Sequence, residues 1–320
     1  MGACNPRNSQ SKNIKVHRRS ILNLPPLETH CTIIAGHTDS ISEIIELKDN
    51  RLCSASWDGT IKIWNKENIK ICDLTITNPN EESFLCVIQL NDETILCGDS
   101  ENLIFNFSLQ KKFPLHIFHG HNDAIYSLVQ INQNEFASCS EDTIIIIWDI
   151  KSCESKNKLQ GHNSKINKII LLNNGNLASC SNDCCIKIWD IKNQNNINCI
   201  CTFDNDFCCM TITELKNGKI AGGYINKEIK IWDIEKKNVF LVLKGHDNYI
   251  SVIYEYKNNE MISCSYDGIV IFWDLNNKNS KDNNFKVKNQ RWHDGNISSV
   301  IMFHGGFASG GFDNLIKIWE

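Results

Sequence analysis

The sequence predicts an all-β chain built from seven copies of one four-stranded unit, and three observations point to it. Trp64, Phe107, Trp148, Trp189, Trp232, Trp273 and Trp319 recur at intervals of 43, 41, 41, 43, 41 and 46 residues. Between these anchors the apolar residues come in short alternating runs, such as Ile166-Asn167-Lys168-Ile169-Ile170-Leu171, the pattern of a half-buried strand. Asn, Gly and Asp bound the runs, as at Asn173-Asn174-Gly175 and Asp183, and turns of that chemistry join antiparallel strands. A unit of about forty residues repeated around a chain is the signature of a β-propeller.

In chain order, residues 1–28 stand outside the repeat. They are rich in Asn, Ser, Lys and Arg, end near Pro25-Pro26, and cannot bury a core, so a disordered basic tail is expected there and the propeller over residues 29–320. The chain stops at Trp319-Glu320, one strand short of a complete seventh blade. The alternating run Cys31-Thr32-Ile33-Ile34-Ala35 is predicted to supply that outer strand, closing the ring and covering an exposed sheet edge. The long interval before the last anchor holds Asn276 to Lys288, a polar stretch read as a surface insertion.

Five repeats carry the same four residues, with His and Asp 21 residues apart in four of them and 20 in the fifth. They read His37/Ser54/Asp58/Trp64, His121/Ser138/Asp142/Trp148, His162/Ser179/Asp183/Trp189, His246/Ser263/Asp267/Trp273 and His293/Ser309/Asp313/Trp319. Gly161-His162 followed by Trp189-Asp190 resembles the WD40 repeat, which implies a seven-bladed WD40 β-propeller closed by an N-terminal outer strand on its last blade. The resemblance also implies that the four residues form a hydrogen-bonded structural network. The chemistry suits that role, because a buried indole N–H needs an acceptor and Ser supplies one. Ser, His and Asp together also suggest nucleophilic catalysis, but a catalytic triad occurs once per active site and not five times around a ring. The second repeat has Asn80, Cys97, Glu101 and Phe107 at these positions, and the fifth has Asn205, Gly222, Asn226 and Trp232. Neither set builds the network, so these two blades are expected to form but to be held less firmly.

Composition narrows the function. Arg7, Lys12, Lys15, Arg18 and Arg19 give residues 1–27 a charge of +5, and the remainder carries −9 of the net −4. An acidic body lacks the basic footprint that neutralises phosphates, so no nucleic-acid partner is expected. The propeller holds only Arg51 and Arg291, which argues against a phosphopeptide reader built on clustered Arg. No apolar run reaches the roughly eighteen residues of a membrane helix. Sixteen cysteines suggest a disulfide framework, yet Cys139, Cys180 and Cys264 recur at one repeat position where a small apolar residue packs, and no CxxC pair marks a zinc site. Reduced thiols in a cytoplasmic chain are expected, with Cys184-Cys185 and Cys208-Cys209 on opposite faces of strands. Neither metal, cofactor nor small-molecule substrate is implied.

By the same resemblance, three positions per repeat face partners: three and five residues after the His, and the one before the Asp. The first set is Ser40, Ser83, Ala124, Lys165, Cys208, Tyr249 and Asn296, and the second is Ser42, Leu85, Tyr126, Asn167, Met210, Ser251 and Ser298. The third is Trp57, Ser100, Glu141, Asn182, Ile225, Tyr266 and Phe312. Tyr249, Tyr266, Phe312 and Trp57 fall in blades six, seven and one, which become neighbours on closure, and Tyr126 with Glu141 marks blade three. Asp39, Asp123, Asp247 and Asp294 lend the rim negative character, so the partner expected is a protein segment with apolar anchors and some basic charge. Met1-Gly2-Ala3-Cys4 resembles the start of dually acylated proteins, with myristate on Gly2 and palmitate on Cys4, although Pro6 stands where Ser or Thr is usual. The function expected is therefore a non-catalytic scaffold. Its alternatives are an acylated membrane adaptor, a propeller enzyme, or a ribosome- or trafficking-associated scaffold.

Overall fold

The computed structural model describes residues 31–90, 93–192, 197–276 and 288–320. The segment expected to be a disordered tail and most of the insertion before the last blade lie outside these residues. Among the described residues the regular elements are 28 strands, sorted into seven four-stranded antiparallel sheets. Blade one is the plain case: Ile41–Glu46, Leu52–Ser56, Thr60–Trp64 and Cys72–Thr77 follow one another from the inside of the ring outward. The inner strands of blades two to seven are Phe84–Gln89, Ile125–Gln130, Ile166–Leu171, Cys209–Glu214, Ile250–Lys257 and Ile297–Phe303.

Blade seven takes its outer strand from the other end of the chain. Cys31–Ala35 pairs antiparallel with Leu315–Trp319, Cys31 opposite Trp319 and Ala35 opposite Leu315. Ile34 points inward from this strand into a layer with Ile316, Phe303 and Trp64. The closing strand thus seals a sheet edge and contributes to the core at the junction of blades seven and one.

The ring has no single core. Each pair of neighbouring blades encloses its own apolar layer, from Ile61, Ile63, Phe84 and Phe105 between blades one and two to Val270, Ile297, Val300 and Trp319 between six and seven. Each sheet buries both faces this way, and the second strands of blades one to five are buried along their whole length. Cys139, Cys180 and Cys264 are fully buried in these layers and act as small apolar residues. The described cysteines are free thiols. The sequence reading of the paired cysteines needs correction: Cys184 lies in a turn at φ 68° and Cys208 in the loop before its strand, so only Cys185 and Cys209 are strand residues.

Candidate functional site: the upper rim of the ring

The upper rim is the end of the ring that carries the His and Asp turns, and a repeated network holds it. In blade four, His162 Nδ1 lies 2.8 Å from Asp183 Oδ2 and its Nε2 lies 2.7 Å from Ser179 Oγ, which also accepts the Trp189 indole N–H at 2.8 Å. Asp183 accepts the backbone N–H of Asn163 and of Cys185, tying two loops together. The same chain of bonds runs through His37, Asp58, Ser54 and Trp64 and through His121, Asp142, Ser138 and Trp148. It recurs through His246, Asp267, Ser263 and Trp273 and through His293, Asp313, Ser309 and Trp319. Burial opposes charge on these carboxylates. The His hydrogen bond outweighs it, joined by backbone N–H donors at Asp58 and Asp183 and by Lys317 at Asp313, and holds all three well below the usual carboxylate range. Each Ser is fully buried and serves an indole, so none is placed as a nucleophile.

The glycine of the Gly-His turn has a steric reason. A Cβ at Gly36 or Gly120 would stand 2.9 Å from the edge of the Trp64 or Trp148 ring. In blade seven Trp292 occupies this place and stacks on Trp319 instead, with centroids 4.6 Å apart and planes 18° apart. That exchange was not foreseen from the sequence.

The two departing blades differ from expectation in opposite ways. In blade five Trp232 still donates its indole N–H, at 2.8 Å, to the hydroxyl of buried Tyr224. Gly222 stands where other blades have Ser, and a Cβ there would approach Tyr224 Oη to 3.0 Å, so its missing side chain makes room for the phenol. Blade five therefore has a substitute acceptor, which corrects the reading that it could satisfy no network. In blade two the donor itself is gone: Phe107 stacks with Phe105 at 5.7 Å and Cys97 fills the Ser position. Asp99 pins the turn there by accepting the N–H of Glu101 and Leu103.

Two backbone devices build the rim itself. In every blade the residue before the turn Asp donates its N–H to the residue three after the His position. The pairs are Trp57 to Ser40, Ser100 to Ser83, Glu141 to Ala124, Asn182 to Lys165, Ile225 to Cys208, Tyr266 to Tyr249 and Phe312 to Asn296, at 2.9–3.2 Å. Each inner strand also carries a bulge after its first residue, which leaves Ser42, Leu85, Tyr126, Asn167, Met210, Ser251 and Ser298 out of the ladder. These are the residues five after the His position. Four of them are consumed by the ring: Ser42, Asn167, Ser251 and Ser298 donate to the carbonyls of Phe84, Cys209, Ile297 and Ile41 in the next blade.

What remains on the rim falls into two groups. On blades six, seven and one the rings of Tyr249, Tyr266, Phe312 and Trp57 form a continuous row, with successive centroids 5.8, 6.2 and 5.0 Å apart. Both ends of the row are open, Tyr249 at 44% and Trp57 at 43% exposure, while Tyr266 and Phe312 are half-buried between them. On blade three the Tyr126 hydroxyl donates to Glu141 at 3.1 Å, and Lys165 Nζ lies 3.2 Å from the Tyr126 ring centroid. Tyr126, Glu141 and Lys165 satisfy one another, whereas the aromatic row exposes apolar surface with no covering group above Tyr249 and Trp57. Among the described residues no cluster of His, Cys, Asp and Glu is arranged to hold a metal ion.

Fold and rim together define a seven-bladed β-propeller whose upper-rim turns are held by repeated hydrogen bonds. The WD40 family, described as "WD domain, G-beta repeat", matches residues 28–65, 112–149, 153–190, 237–274 and 285–320, more than half of the chain, and the chain belongs to it. The unmatched stretches contain the first three strands of blades two and five, the two without the His-Ser-Asp network. Apoptotic protease-activating factor 1 of Homo sapiens is 29% identical over 107 residues, 30% of this chain but only 8% of that protein. The WD40 beta propeller domain of Doa1 has the same fold, with a TM-score of 0.76 at 22% identity over 90% of this chain and 95% of that one. Membership of this family supports a general role as a propeller scaffold for protein–protein interaction.

Proposed function

We propose that the protein holds its partner on the aromatic row of blades six, seven and one, and that the partner presents a segment with apolar anchors and basic charge. The carrying observation is the unbroken contact from Tyr249 through Tyr266 and Phe312 to Trp57 on turns that the network and the backbone pairs hold rigid. Aromatic groups held in place lose little entropy on binding, which is why such residues dominate interface energetics. Exposed Asp39, Asp247 and Asp294 border the row and favour a basic flank. The opposite side offers less: in blade four Asn167 bonds Asn182 at 2.8 Å and the pair is already satisfied. Affinity capture of the double variant Trp57→Ala, Phe312→Ala against wild type tests this. A hot-spot residue contributes about 2 kcal/mol or more, so captured partners should fall roughly 30-fold. Unchanged capture, with Asn182→Ala depleting it instead, would move the site to the other side.

A membrane-associated form of the same scaffold is supported by Met1-Gly2-Ala3-Cys4 and the five basic residues that follow. One acyl chain binds only marginally, so two acyl groups or one with the basic stretch would be needed. The closing strand starts at Cys31 opposite Trp319, the end of the blade away from the Asp turns. Intact mass of the N-terminal peptide decides it: an added myristoyl mass on Gly2 supports anchoring, and an unmodified Gly2 ends it.

A further inference from the structure

Around the ring, the turn after each Asp touches the loop that enters the next blade. A Cβ at Gly59 in blade one would meet the carbonyl of Glu82 at 3.1 Å, and one at Gly268 in blade six would meet that of His293. Asn314 of blade seven donates across the same junction to the Thr38 carbonyl at 3.2 Å. The residues at the two equivalent repeat positions of each junction are Gly59 and Ser83, Asn102 and Ala124, Thr143 and Lys165, Cys184 and Cys208, Lys227 and Tyr249, Gly268 and Asn296, and Asn314 and Ser40. Only the junction of blades four and five places a thiol on both sides.

There the two sulfurs are in contact, Cys184 Sγ 3.8 Å from Cys208 Sγ. Both are half-buried, so a small oxidant reaches them. Both thiols also point at one acceptor, the Asn182 carbonyl, 3.1 Å from Cys208 Sγ and 3.8 Å from Cys184 Sγ. Cys184 occupies a turn position at φ 68° that two other blades give to glycine. A disulfide needs the sulfurs about 1.8 Å closer, within reach of a side-chain rotation, because the contact already brings two chain segments together. Burial, then the neighbouring Cys208 thiol and the Asp183 and Asp206 carboxylates, push the Cys184 thiol up and keep it protonated at rest.

We infer that Cys184 and Cys208 form a reversible, oxidant-driven disulfide that staples blade five to blade four at the upper rim. With hydrogen peroxide as oxidant, the thiolate of one cysteine attacks a peroxide oxygen. The O–O bond breaks and one water leaves with the proton supplied, giving a sulfenic acid. The second sulfur displaces its hydroxyl, forming the S–S bond and releasing a second water. Two thiols are oxidised and one peroxide is reduced, and a dithiol reductant reverses the change. The staple crosses a junction that leads into a blade lacking the His-Ser-Asp network, so oxidation tightens the ring where Tyr224 alone replaces that support.

The test treats the reduced full chain with hydrogen peroxide, blocks free thiols by alkylation, and maps peptides by mass. A linked Cys184–Cys208 peptide should form, lighter than the two thiol peptides by about 2 Da for the two hydrogens lost, and dithiothreitol should abolish it. Cys184→Ser and Cys208→Ser should each remove the linked peptide. Hydrogen exchange of strands Cys209–Glu214 and Ile220–Tyr224 should slow severalfold in the oxidised wild type and not in either variant. Oxidation of exposed Cys31 and Cys199 reports that oxidant was present. Recovery of Cys184 and Cys208 as free thiols, as singly oxidised acids, or bridged to other cysteines under those conditions overturns the inference.

Discussion

Tyr224→Phe removes one oxygen and tests whether blade five has found its own substitute for the repeated network. The Tyr224 side chain is fully buried and Trp232 is 6% exposed, so the indole N–H that now reaches the hydroxyl at 2.8 Å has no solvent to turn to. A buried donor left unpaired costs about 1–3 kcal/mol. For a ring of this size, at the low end of 2–4 °C per kcal/mol, the melting midpoint should fall by about 2–6 °C. Trp232→Phe removes the donor instead, and the double variant should be little worse than Trp232→Phe alone, giving a coupling energy of about 1–2 kcal/mol. Blade two is a natural instance of that second state, with Phe107 and no acceptor required. Scanning calorimetry of the four proteins measures the cycle, and hydrogen exchange locates the change in strand Glu228–Asp233. An unchanged midpoint for Tyr224→Phe together with zero coupling would refute the substitution argument.

Two further outcomes follow from the same geometry. The Asp partners of His37, His121, His162, His246 and His293 titrate below their ordinary value in the folded ring, so their contribution is complete above the unfolded value near pH 4 and is lost as pH falls through the lower folded values. Thermal midpoints should therefore be level around neutrality and drop steeply below about pH 4, and Asp183→Asn should weaken that acid dependence; a midpoint independent of pH would count against the networks as charged supports. Ile34→Ala, in the closing strand, should cost about 2–5 kcal/mol and raise protease cleavage within Leu315–Trp319 more than elsewhere. Cleavage spread evenly over all blades would show that closure is not where the ring gives way.

The repeat was legible because its signals are local. Alternation and turn residues specify each strand, and the spacing from His162 to Ser179, Asp183 and Trp189 lies within one blade. The neighbourhood of Tyr249, Tyr266, Phe312 and Trp57 could also be read, since closure makes the first blade adjacent to the last. What escaped depends on contacts between positions the pattern treats as unrelated. Tyr224 replaces a Ser two residues earlier on the same strand face, and its only sequence signal is the empty Gly222 beside it. Trp292 stands where other blades need glycine, because it stacks on Trp319 instead of approaching it edge-on. The bulge residues Ser42, Asn167, Ser251 and Ser298 looked available to partners, but their acceptors lie in the following blade, 42 to 46 residues away for the first three and 257 away for Ser298. The proximity of Cys184 and Cys208 is of the same kind, produced by two turns of successive blades meeting at the rim.

Photocrosslinking in cells tests the central claim most directly, that partners engage the ring through the aromatic row. A photoreactive phenylalanine analogue is installed at Phe312 and, in a separate sample, at Asn182 on the opposite side of the same rim. Crosslinked partners recovered from position 312, lost on adding Trp57→Ala, and absent from position 182 are the predicted result. Partners captured from 182 and not from 312 would contradict it.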